Sequence, residues 1–346
     1  MESVVLDALD RQLIHALQLD GRASFSRIAA VLGSSDRTVA RRYQRLRGAG
    51  VLRVVGLPDA RRVGMVEWFV RIQCAPQAAM PVAAALVRRA DTAWVGLSSG
   101  GTEITCVIQA REGSLNGSLL LPKLPRTASL TSVTAQCELR KVAGAAGWSG
   151  RTSALEPEQA AALARPVDPS RTVRLTEGDE RLFGVLAGDG RAVVPDLAAA
   201  TGWSQSSVRR RLEELRRAGA LYFDIEIDPA LYGRGFGAML WLTVLPAELD
   251  RVTKALAAHP EVAYAAVTTG RSNVVAVVAC RDADDLYGYL ATRIGALPGV
   301  LGAETTPVTR YIKQAGTVLV PARRPGGLSR SAPPAAGPAP SPGPPC

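Results

Sequence analysis

The chain contains one module twice. The run from Asp10-Arg11-Gln12-Leu13 to Arg47-Gly48-Ala49-Gly50-Val51-Leu52 returns without a gap as Asp179 through Arg216-Arg217-Ala218-Gly219-Ala220-Leu221, with 19 of 43 positions identical. Asp10 falls on Asp179 and Leu52 on Leu221, so the period is that of a domain and not of a solenoid repeat. A length of 346 residues admits two to four domains, each with its own core. The fold must therefore hold two like units, and one chain can supply both halves of a pseudo-dimer.

Within the first copy, Leu9, Leu13, Ile14 and Leu17 recur at helical spacing and mark one apolar face. Asp20-Gly21-Arg22 ends that helix. A second helix is expected over 25–32, then a turn at Gly33-Ser34-Ser35 in which Ser35 is a good N-cap for a third helix over 36–47. Gly50 closes the third helix, and 51–55 reads as a strand. The second copy repeats this order, with Thr176 before its first helix, Pro195 in the first turn of its second, and a third helix over 205–217. Val208, Leu212 and Leu215 match the inward positions Val39, Tyr43 and Leu46.

A mixed region follows each three-helix unit. In the second, strands are expected over 238–244, 262–268, 274–280 and 300–311, with helices over 249–258 and 284–294; that βαββαβ order is ferredoxin-like. The first mixed region shows the order more faintly, because Gly113, Gly117 and Pro122 interrupt its second helix. The expected fold class is α+β, a tandem repeat of a winged-type helix-turn-helix domain and a ferredoxin-like βαββαβ domain. The expected boundaries are helix-turn-helix units at 1–56 and 173–223, ferredoxin-like domains at 64–140 (degenerate) and 236–313, and a linker at 141–172 with a short helix near 157–163. A Pro-rich tail at 321–346 is expected to be disordered.

The formal net charge is +10, unevenly distributed. Residues 1–55 carry nine arginines against five acids, residues 172–222 eight against seven, and residues 236–312 six basic groups against seven acids. A basic module is the footprint of a polyanion binder. The third helix of each copy has the two unlike faces of a recognition helix. Outside the apolar face lie Arg37, Thr38, Arg41, Arg42 and Arg45 in the first copy and Gln205, Ser206, Arg209, Arg210 and Arg211 in the second. Arg grips guanine bidentately, Gln grips adenine, and later arginines hold phosphates. The expected partner is double-stranded DNA. Because the two helices differ, the half-sites should differ, and the first copy's extra charge, Arg53 included, should dominate phosphate contacts.

The five cysteines are widely spaced with no CxxC pair, which fits neither a disulfide scaffold nor a zinc site. No signal peptide or membrane-length apolar run is read, so the expected location is cytoplasmic. No catalytic set, metal site or cofactor is nominated. His15 and His259, the only histidines, read as structural groups, and Gly233-Arg234-Gly235-Phe236-Gly237 lacks the strand–turn–helix context of a phosphate loop.

The run Leu9-Asp10-Arg11, Leu13, Leu17, Asp20-Gly21-Arg22, Ile28-Ala29, Gly33-Ser34-Ser35, Val39-Ala40-Arg41-Arg42, Leu46, Gly50-Val51-Leu52 resembles the DNA-binding half of Lrp/AsnC transcriptional regulators. The second mixed region resembles that family's sensor through His259-Pro260-Glu261-Val262, Thr269-Gly270-Arg271-Ser272-Asn273 and Leu297-Pro298-Gly299-Val300. The resemblance implies a DNA-binding regulator whose sensors associate through their sheets, as a homo-oligomer, and bind a small effector such as an amino acid at the turn Thr269, Gly270, Arg271, Ser272 and Asn273. The family usually has Asp where Asn273 stands, and Glu103 occupies the matching place in the first sensor. Two other readings compete: an effector-free architectural DNA binder, and an enzyme similar to siroheme decarboxylases, some of which share this fold.

Overall fold

The computed structural model describes residues 5–89, 91–111, 130–144, 148, 150, 153–168, 170–314 and 317–318. The interrupted helix expected after Gly113 and the tail at 321–346 lie outside them.

The first three-helix unit comprises α1 (Ala8–Leu19), α2 (Phe25–Leu32) and α3 (Asp36–Gly48), followed by strand β1 (Arg53–Pro58). Each helix starts at a side-chain cap. Asp7 caps α1 in a capping box with Asp10, Ser24 caps α2, and Ser35 caps α3 by accepting from the Thr38 amide. Gly33, at φ 61°, makes the left-handed turn between α2 and α3. The second unit repeats the plan in α6 (Glu177–Gly188), α7 (Val194–Thr201), α8 (Gln205–Arg217) and β6 (Leu221–Glu226), with Gly202 at φ 74° in the same turn.

A wing hairpin does not form in either unit. β1 and β6 pair with each other instead, antiparallel, so each strand satisfies the edge of the other. Val55 faces Asp224, its own counterpart in the repeat, while Val54 faces Ile225 and Gly56 faces Phe223. The register thus relates the two units by an approximate two-fold axis. Their cores are one: Leu13, Leu17, Ile28, Leu46 and Val54 share a buried cluster with Leu182, Leu186, Leu215, Phe223 and Ile225.

The first ferredoxin-like domain contains β2 (Met65–Cys74), α4 (Pro76–Val87), β3 (Thr92–Ser98), β4 (Glu103–Arg111) and β5 (Leu130–Ala143). After α5 (Pro157–Leu163) and the second three-helix unit, the other domain contains β7 (Phe236–Val244), α9 (Leu249–Ala258), β8 (Val262–Thr268), β9 (Val274–Cys280), α10 (Ala283–Gly288) and β10 (Val300–Gln314). A short strand, β11 (Thr317–Val318), follows. The expected helix over 284–294 is α10 followed by a π-helical stretch, Tyr289–Ile294. β5 runs to Ala143, past the expected start of the linker.

The long strands β5 and β10 join the two domains. β5 pairs with β2 of its own domain through Leu130–Cys137 and with β8 of the other from Glu138 to Ala143. β10 does the reverse, pairing with β7 over Val300–Pro307 and with β3 from Val308 to Lys313. The two sheets therefore close on each other within the chain, so the sheet association that the family resemblance implies is made intramolecularly. Helices cover the outer faces through Val82 and Leu86 or Val252 and Leu256, while Phe69, Met239, Trp241, Ala266 and Val275 pack between the inner faces. Burial on both faces explains why β9 reads Val-Val-Ala-Val-Val-Ala-Cys without polar alternation.

Candidate nucleic-acid interface and effector turn

The ten recognition-helix residues divide into two groups. Arg37, Arg41, Gln205, Ser206, Arg209 and Arg210 are exposed, and Thr38 is half-buried with its hydroxyl 2.8 Å from Ser35 Oγ. Among the described residues, Arg37, Arg41, Arg209 and Arg210 pair with no carboxylate; Arg209 reaches only the Gln205 amide oxygen, at 3.3 Å.

Arg42, Arg45 and Arg211 each pair with a buried carboxylate, Arg42 and Arg211 half-buried and Arg45 exposed. Arg42 Nη1 donates to Asp7 Oδ2 at 2.6 Å and to Asp10 Oδ1 at 3.0 Å, and Arg45 also reaches Asp10. In the second unit, Arg211 grips Asp179 with Nε at 2.8 Å and Nη2 at 2.7 Å. Asp10 and Asp179 are fully buried. A buried carboxylate without a counter-charge is costly, so each unit binds its third helix to its first with the same arginine. The hydrogen bond from Arg42 to Asp7 holds its guanidinium above the usual range, as Asp179 does for Arg211. Asp10 and Arg42 recur unchanged as Asp179 and Arg211, but so does Arg41 as Arg210, so the repeat alone does not single out the structural arginine. Arg53 is also neutralised, since its Nε donates to Glu226 Oε2 at 2.6 Å across the β1–β6 pair.

The turn at 269–273 sits at the seam between the two ferredoxin-like domains. The Thr269 amide donates to the Cys137 carbonyl at 2.9 Å, and Thr269 Oγ1 accepts from the Cys137 amide at 2.9 Å. Gly270 holds φ +103°, and a Cβ there would lie 2.8 Å from Gln136 Nε2. The Arg271 carbonyl accepts from Thr243 Oγ1 at 3.3 Å, and the Ser272 carbonyl from Thr268 Oγ1 at 3.2 Å. Asn273 spends its amide on Val244, accepting from that residue's N–H and donating to its carbonyl, both at 2.8 Å. In the first domain, Glu103 is buried and pairs at 2.7 Å with Arg71, which also bonds Glu304 and stacks over the Trp241 ring.

Both histidines have internal roles. His15 Nδ1 accepts from the Leu155 amide at 3.1 Å, and His259 Nδ1 lies 3.0 Å from the Tyr289 hydroxyl. Burial lowers the pKa of each. No group of three or more His, Cys, Asp or Glu among the described residues can hold a metal, and no helix among them is long and apolar enough to cross a membrane.

The AsnC-type helix-turn-helix domain matches residues 6–47 and again 175–216, and the Lrp/AsnC ligand-binding domain matches 237–318. The chain thus carries the domains of Lrp/AsnC transcriptional regulators, with the helix-turn-helix in two copies. The HTH-type transcriptional regulator FL11 of Pyrococcus horikoshii is 29% identical over 143 residues, which is 41% of this chain and 94% of the relative. The HTH-type transcriptional regulator Ptr1 of Methanocaldococcus jannaschii is 27% identical over 136 residues, 39% of this chain and 92% of that one. Each relative thus spans about one of the two units of this chain. A solved structure that follows both units is that of the siroheme decarboxylase NirDL, which covers 89% of this chain and 93% of its own at a TM-score of 0.60 and 14% identity. That likeness extends to the fold alone.

Proposed function

We propose that this Lrp/AsnC-type transcriptional regulator reads duplex DNA as a single-chain pseudo-dimer. The observation that carries the reading is the cross-unit pair β1–β6, which sets two helix-turn-helix units about an approximate two-fold axis with both third helices partly exposed. Such a pair addresses two half-sites spaced by a helical turn or a multiple of it. The N-terminal residues Arg37, Thr38 and Arg41 read one half-site. Gln205, Ser206, Arg209 and Arg210 read the other. The residue sets differ, so the operator is not an inverted repeat. Random-pool selection on the purified protein tests this: two unlike half-sites at fixed spacing are expected, and a perfect palindrome protected equally on both halves, or no retained duplex at low salt, overturns it.

Effector binding belongs to the turn at 269–273 and its surroundings. The Asn273 amide offers no charge for an ammonium group and is already bonded to Val244, which favours a neutral effector over a free amino acid at that residue. The homo-oligomer implied by the family would use surfaces other than the sheets that close within the chain. A cytoplasmic location agrees with this reading.

A second reading is an enzyme, since the chain shares the fold of a siroheme decarboxylase; a shared fold does not by itself carry an activity. Against it stand the two histidines, each bonded inside the fold. Titration with an iron porphyrin separates the two: an unshifted Soret band supports the regulator, and a saturable shift at one equivalent supports the tetrapyrrole site.

A further inference from the structure

The Asp-Gly-Arg motif, which recurs at 20–22 and 189–191, ends a helix in each unit, but its side chains act across the seam. Arg22 donates from Nη1 to the Gly190 carbonyl at 2.8 Å and from Nη2 to the Ala192 carbonyl at 2.9 Å. Arg191 returns the contact, donating to the Gly21 carbonyl at 2.7 Å and the Ala23 carbonyl at 3.1 Å. The two motifs thus hold each other by their backbones. The glycines permit the approach: a Cβ on Gly21 would lie 2.6 Å from Phe223 Cβ, and one on Gly190 would lie 2.9 Å from the Val55 carbonyl carbon.

The aspartates reach the recognition helices of the opposite unit. Arg47, in the last turn of α3, donates to Asp189 at 2.8 Å, and Arg216, in the last turn of α8, donates to Asp20. Arg191 also stacks over Phe25 and Tyr43, the latter on α3, at 4.6 and 5.3 Å from the ring centroids. Each recognition helix is therefore fastened at its C-terminal end to the unit that does not contain it.

Two guanidinium groups set side by side in a half-buried seam are an expensive way to gain stability. Burial, and the charge of Arg191 and Arg216, hold Arg22 below its usual pKa range. An apolar seam of the same volume is often at least as stable, and buried charge is best attested as a device that fixes register. The planar guanidinium suits that task, because it satisfies two carbonyls at once in one orientation. The geometry points to the paired Asp20-Gly21-Arg22 and Asp189-Gly190-Arg191 motifs as the positioning device that sets the spacing between the two DNA half-sites.

This inference rests on the DNA-reading function proposed above, and its test separates the two. Duplexes carrying one half-site, or both half-sites at graded spacers, are titrated with the unaltered protein, the R22Q/R191Q double variant and D189N. D189N keeps an oxygen for the Arg191 amide and removes the charge facing Arg47, so it serves if the double variant folds poorly. The unaltered protein is expected to prefer one spacer. In the double variant, half-site affinity should stay within about twofold while the advantage of the joined site falls by about tenfold or more and spreads over several spacers, because the gain from linking two sites depends on how well they are held. D189N should shift the same ratio by about threefold. An unmoved spacer preference and ratio in both variants overturns the inference, as does an equal fall on half-sites and joined sites, which marks a folding defect. If the unaltered protein ignores all duplexes, the function itself is overturned.

Discussion

Arg41 and Arg42 are neighbours in the sequence, but they have different tasks. Arg41 is exposed and faces no carboxylate among the described residues, whereas Arg42 neutralises the buried Asp10. Arg41→Ala is expected to leave stability within about 0.5 kcal/mol of the parent and to reduce the salt dependence of DNA binding by about one phosphate contact. Arg42→Ala leaves Asp10 to Arg45 alone and should cost about 2–3 kcal/mol in chemical denaturation. Equal stability for the two variants would sink this division. Which arginines are structural was not legible from helical spacing, which places both outside the apolar face. The choice depends on whether Asp10 is buried, and that follows from tertiary packing. Glu138 makes a second residue-scale case. Burial and the nearby Glu67 raise its pKa from 4.5 to about 6, against the pull of Lys141 and a hydrogen bond from Tyr264. The fold therefore prefers the protonated carboxyl. Its contribution is full below pH 4.5 and is lost as pH rises through 6, a loss of about 2 kcal/mol at 1.36 kcal/mol per pKa unit. Glu138→Gln should flatten the stability profile between pH 4.5 and 6; an unchanged slope would assign that dependence elsewhere.

At the scale of elements, the caps and turns that the sequence predicts are those found. Ser35 and Ser204 both start recognition helices, and Gly33 and Gly202 both turn into them. These signals are local, so a single sequence carries them. The partners of strands were not legible. Nothing near Arg53 announces that β1 pairs with β6, or that β5 passes from β2 to β8, because such pairings are settled by long-range closure of the sheets. The turn between β8 and β9 shows the same limit: its residues are visible in the sequence, and its contact with Gln136 of β5 is not. Gly270→Ala should destabilise the protein by about 1–3 kcal/mol, since a residue with a Cβ is strained at positive φ and here also meets the Gln136 side chain. A thermal melt unchanged from the parent would show that the seam yields at this point.

For the whole molecule, the uneven charge of the two copies loses its expected consequence once the ion pairs are placed. Arg42, Arg45, Arg47 and Arg53 of the first unit all bind carboxylates. What remains exposed without one is Arg37 and Arg41 on α3 against Arg209 and Arg210 on α8. The two units then present similar cationic surfaces to a duplex, although their base-reading residues differ. Counterion release counts phosphates neutralised and not formal charge, so Arg41→Ala and Arg210→Ala should flatten the salt dependence about equally; a clearly larger effect at Arg41 would restore the asymmetry read from composition. The closed sheets lead to a related expectation about stoichiometry. A protein with one helix-turn-helix unit per chain needs two chains for two half-sites, whereas here both units share one core and one strand pair. One 36.4 kDa chain should therefore saturate one bipartite duplex, as read by sedimentation of the complex at concentrations well above the dissociation constant. Saturation at two chains per duplex would mean that each chain engages DNA through only one of its recognition helices.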